Sequence, residues 1–141
     1  MIRLRALCFV ALAVFLSAAS HARASEPAQA FLDGLRERGY FDTATDYLDA
    51  ALDSPLVPGR FKQTALYEKG LIFVLGASHE RDPAVQETQL NEGQKALQQF
   101  LSDQPSHLLA TAARSQLGNV LVKRAGIRVE RARRLAPAQK Q

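Results

Sequence analysis

The stretch that decides the fold is Gly39-Tyr40-Phe41-Asp42-Thr43-Ala44-Thr45-Asp46-Tyr47-Leu48-Asp49-Ala50-Ala51-Leu52-Asp53-Ser54-Pro55. Glycine opens it and proline closes it. Between them Phe41, Ala44, Tyr47, Leu48, Ala51 and Leu52 recur every three or four residues. That period puts them on one side of an α-helix, with Asp42, Asp46, Asp49 and Asp53 on the solvated outside.

Upstream, Pro27 suits the first turn of a helix, and Phe31, Leu32 and Leu35 keep helical spacing until Gly39 ends the run. Downstream, two prolines between Ser54 and Gly59 break the chain. Phe61 to Ala77 contains the continuous apolar run Leu71-Ile72-Phe73-Val74-Leu75, which by itself is compatible with a buried strand. Its flank, Gln63 to Lys69, shows no strand alternation, and a helix packed between others is apolar all round, so the segment is expected to be helical. Asp82-Pro83 supplies an N-cap and a first-turn proline for Ala84 to Ser102, whose face is Leu90, Gly93, Leu97, Phe100 and Leu101. Ser106 is expected to cap the next helix, lined by Leu109, Ala113, Leu117, Val120 and Leu121. Gly126 either ends or weakens it, and Ile127 to Ala136 reads as a last short helix stopped by Pro137. The expected architecture is all-α, six helices in three antiparallel pairs.

Gly39, Phe41, Ala44, Tyr47, Ala51-Leu52 and Pro55 resemble the second half of a tetratricopeptide (TPR) repeat. In such a unit glycine permits the reversal between helices, small alanines let them approach, and proline starts the next reversal. Leu66, Gly70 and Phe73, then Phe100-Leu101 and Pro105, resemble a second unit with about eleven extra residues between its halves. Leu117-Gly118 and Leu121 resemble the start of a third, although Glu130 stands where the family has a small alanine. The resemblance implies a short right-handed TPR-like solenoid of about three pairs over residues 25–136, with a concave groove that grips a protein or peptide. The implied groove residues are Gln29, Asp33 and Arg36, then Tyr67 and Leu71, then Ser115, Asn119 and Lys123. The outer sets are polar and the middle one apolar, which suits a peptide hydrogen-bonded around one hydrophobic anchor. A homodimer covering the last pair, or a relation to a longer repeat array, is a further expectation.

With 141 residues, 47% of them apolar and 23% charged, the chain can bury one core and is not expected to be disordered. Arg3 and Arg5, the apolar run Ala6 to Ala19, and Ala22-Arg23-Ala24 read as a secretory signal peptide over residues 1–24. An uncleaved anchor would need about 20 apolar residues, and Ser17, Ser20 and His21 interrupt this run. Cleavage near Ala24 removes Cys8, the one cysteine, so no disulfide is expected, and Ser25 stands where a lipoprotein would have cysteine. The expected location is periplasmic or secreted, with residues 137–141 as a polar tail.

Removing Arg3, Arg5 and Arg23 leaves 15 basic and 14 acidic groups, unevenly distributed. Residues 25–120 hold 8 basic and 13 acidic groups, whereas residues 121–141 hold 7 basic groups and Glu130 alone. The alternative function is therefore a peripheral envelope protein docking on anionic membrane through Arg128, Arg131, Arg133 and Arg134. Export argues against nucleic acid as a partner. His79-Glu80-Arg81-Asp82 reads as a solvated loop, His107 as an ordinary histidine at a helix start, and the α-helical aspartates as an outer face. With no placed nucleophile, base or metal set, the reading is non-catalytic, without cofactor or metal.

Overall fold

The computed structural model describes residues 25–135. The expected signal peptide and the tail 137–141 lie outside the described residues. Five helices follow one another: α1 (Ser25–Glu37), α2 (Phe41–Asp53), α3 (Gly59–His79), α4 (Pro83–Asp103) and α5 (Ala110–Leu135). The fold is all-α, and the apolar run 71–75 lies inside α3, as expected.

The helix ends follow from local chemistry. Gly39, at φ +74°, lets the Gly39 and Tyr40 amides turn back onto the Arg36 and Leu35 carbonyls at 3.1 and 3.0 Å, which closes α1. Ser54 Oγ accepts from the Leu56 amide at 3.3 Å in the turn before Pro58. Asp82 Oδ1 accepts from the Ala84 amide at 2.8 Å, with Pro83 beginning α4. Ser106 does not cap α5. The acceptor there is His107 Nδ1, 3.1 Å from the Leu109 amide, and the His107 ring stands edge-on to Phe100 at 5.4 Å. Histidine is thus a structural element of this turn, a role that reading it as an ordinary exposed residue missed.

The expected break at Gly126 does not occur either, so among the described residues there are five helices rather than six. Nothing lies within 4 Å of where a Gly126 Cβ would be, and α5 runs straight through it. One glycine costs a helix only about 1 kcal/mol, and the surrounding Arg, Ala, Glu and Leu residues are good helix formers.

Successive helices are antiparallel. Between α3 and α4, Ala77 O accepts from Gln86 Nε2 and Gln63 O from Gln104 Nε2, both at 2.8 Å, so the chain directions oppose. Lys62 reaches Leu52 O and Lys69 reaches Asp49 between α2 and α3. Each helix packs on the next, and α1 and α5 also touch α3. Two apolar clusters result. Leu32, Leu48, Phe61 and Ile72 belong to the first, and Leu90, Leu97, Phe100 and Val120 to the second.

The tightest crossing is α3 on α4, at Gly70 and Gly93. A Cβ on either glycine would sit 3.2–3.3 Å from the carbonyl oxygen of the other, and one on Gly70 would lie 2.6 Å from Leu97 Cγ. Gly70→Ala should therefore destabilise the protein by about 1–3 kcal/mol despite the higher helix propensity of alanine. Gly126→Ala, facing open space, should stabilise it by up to about 1 kcal/mol. Urea unfolding of the two variants checks the opposite signs.

Candidate functional site

The groove residues expected from the sequence fall on α1, α3 and α5, which are the helices that meet side by side. Two cross-links mark the seams. Arg36 Nη1 donates to Glu68 Oε2 at 2.7 Å, joining α1 to α3, and Lys123 Nζ donates to Ser78 Oγ at 2.9 Å, joining α5 to α3. Glu68, Leu71, Leu75 and Ser78 recur every three or four residues and so share one side of α3 between those seams.

The first expected set is brought together as one chain of contacts. Gln29 Nε2 donates to Asp33 Oδ1 at 3.2 Å, and Arg36 donates to the same oxygen at 3.3 Å before reaching Glu68. Glu68, which the sequence did not single out, ends this chain and is only 9% exposed. Its signal in the sequence was a carboxylate in the middle of a helix expected to pack between others, where a buried charge demands a paired cation. Burial raises the Glu68 carboxyl pKa above the ordinary glutamate value; the Arg36 guanidinium pulls it partly back, and Asp33 pushes it up further.

The middle set is split. Tyr67 is 9% exposed, its ring 5.6 Å from that of Phe100, so it belongs to the second cluster and does not line an open groove. The phenol is pushed up by burial first and by neighbouring Glu68 second. Leu71 is half-buried against the same cluster. The exposed apolar residue here is Leu75, one turn further on, which the motif spacing did not reach. In the third set Ser115 and Asn119 are exposed on α5, and the Asn119 side chain donates to Gln116 Oε1 at 3.3 Å.

The basic residues of α5 are largely engaged. Arg128 and Arg131 both reach Glu87 on α4, at 3.5 and 3.2 Å, and Arg134 reaches Glu130 at 3.0 Å. A cleft of about 440 Å³ lies between Pro83 and Gln86 of α4 and Gly126, Ile127 and Arg131 of α5. Arg134 and Glu130 also line it, and its two arginines are paired, Arg131 with Glu87 and Arg134 with Glu130. Among the described residues no three potential metal ligands gather, and no helix is long and apolar enough to cross a membrane. Comparison of the chain with models of protein families, with curated proteins and with solved structures finds no match.

The raised Glu68 pKa means that the folded protein holds this proton to higher pH than the unfolded chain. The contribution of Glu68 to stability therefore falls as pH rises from the ordinary glutamate value through the raised one. Glu68→Gln should remove that slope, so the variant gains on the wild type across this window. Urea unfolding at a series of acidic to neutral pH values reads the difference.

Proposed function

We propose that the protein is a non-catalytic helical-repeat scaffold that binds a protein or peptide segment on the face shared by α1, α3 and α5. The observation that carries this reading is the placement of three alternate helices side by side, tied through Arg36–Glu68 and Lys123–Ser78. That neighbour pattern is the one a TPR-like stack of helix pairs would have, with α1, α3 and α5 as first helices and α2 and α4 as second helices. On this reading the anchor for the ligand is Leu75 beside Leu71, not Tyr67, with Ser115 and Asn119 offering hydrogen bonds.

Such a face discriminates ligands by shape and by a few placed polar groups. Arg36 and Glu68 hold the floor in position, so their loss weakens binding through the scaffold. Leu75 contacts the ligand directly. Export belongs to the same proposal, supported by the arginines, apolar run and small residues of 1–24. N-terminal sequencing of the secreted protein should begin at Ser25.

The test is selection of a displayed random peptide library on the purified protein, followed by fluorescence anisotropy with a selected peptide. Leu75→Glu should weaken binding at least about tenfold, equivalent to about 1.4 kcal/mol, while Thr88→Ala on exposed α4 surface should leave it unchanged. Failure to enrich any peptide sensitive to Leu75→Glu overturns the reading.

A further inference from the structure

The charge of the molecule is graded along the stack. Residues 27–53 hold six carboxylates and two arginines, residues 59–103 six carboxylates and five cations, and residues 110–135 seven cations with Glu130 alone. Among the described residues α1 and α2 make no contact with α5, because α3 and α4 lie between. The acidic and basic ends are therefore opposite ends of one body.

Both ends also expose apolar side chains. On α5, Leu121, Val122 and Val129 are 57%, 73% and 51% exposed. Val122 and Val129, seven residues apart, lie opposite the buried Val120. Arg114 and Arg133 are exposed beside this face and have no carboxylate partner among the described residues. At the other end Phe31 is 53% exposed, leaning edge-on against Tyr47 at 4.9 Å. Asp46 and Asp53 are exposed on the solvent side of α2, also without a cationic partner among the described residues.

We propose that copies of this chain associate head to tail, the Val122–Val129 face of α5 in one copy seating on the Phe31–Tyr47 end of the next, with the positive charge of α5 facing the negative charge of α1 and α2. The occupant is a second copy because the apolar patch and the charge that one end needs are both supplied by the other end. Two α5 faces meeting each other would instead bring unpaired arginines together. The contact is heterologous, so it repeats into a ring or a filament, depending on the angle between copies. Val122 lies seven residues after Ser115 on the same side of α5, but self-association is read on the protein alone, so the proposal stands or falls independently of ligand binding.

Sedimentation velocity of the purified protein over a range of concentrations, at 0.05 and 0.5 M salt, tests this. The average mass should rise with concentration at low salt, and association should weaken by about tenfold or more at high salt. Asp46→Arg/Asp53→Arg should abolish self-association, as should Arg114→Glu/Arg133→Glu, each with an unchanged helical circular dichroism spectrum. Mixing the two variants should restore association, since the reversed ends complement each other. A monomer at every concentration and salt overturns the proposal. So does an aspartate variant that still associates, which is the outcome for α5-on-α5 pairing. Association of the wild type only with added acidic protein or anionic vesicles also overturns it.

Discussion

Where α3 crosses α4, Gly70 and Gly93 leave no room between the two backbones, and the rest of the structure is arranged around that approach. Leu97 packs into the space a side chain at Gly70 would fill, so the second apolar cluster reaches the α3 backbone itself. With α4 so close on one side and α2 on the other, α3 buries residues around much of its circumference and leaves Leu75, Ser78 and residues near its ends exposed. This is why its second half is apolar on more than one side, and why the run 71–75 imitates a buried strand while being a helix.

Burying α3 on both sides sets what the candidate face can be. Glu68 can enter that helix only beside a cation, and Arg36 supplies it from α1, with Asp33 and Gln29 extending the chain of contacts. The polar residues expected to greet a ligand are thus partly spent on attaching the first helix pair to the third helix. What stays available is a smaller set: Leu75 on α3, and Ser115 and Asn119 on α5. The arginines of α5 follow the same logic. Arg128 and Arg131 meet Glu87 on α4 and Arg124 meets Gln94 there, while the exposed Arg114 and Arg133 determine the character of the outer side.

The helices were legible because their signals are local. Gly39 at positive φ, Asp82-Pro83 at the start of α4, and the spacing of Phe41 to Leu52 each act within a turn or two of chain. The misreadings arose where a distant partner or a missing neighbour decided the outcome. Gly126 left open whether the helix ended or only weakened there, and a glycine facing open space supplies only a small penalty. Ser106 had the right chemistry for a cap, but the side-chain acceptor in this turn is the His107 ring, which takes the Leu109 amide and is seated against Phe100 from another helix. Tyr67 matched a groove position in the repeat pattern, but the aromatic contact with Phe100 drew it inward. Glu68 was overlooked because its partner lies 32 residues away.

The division of the core into two clusters has an energetic consequence. Leu32, Leu35 and Leu48 serve only the first cluster, and Leu90, Leu97 and Val120 only the second, with α3 as the wall common to both. Cooperativity in such a body passes from neighbour to neighbour rather than through one centre. Release of α1 and α2 would strip one side of α3 while leaving α4 and α5 packed on the other, so the molecule has a built-in route to sub-global opening from its acidic end.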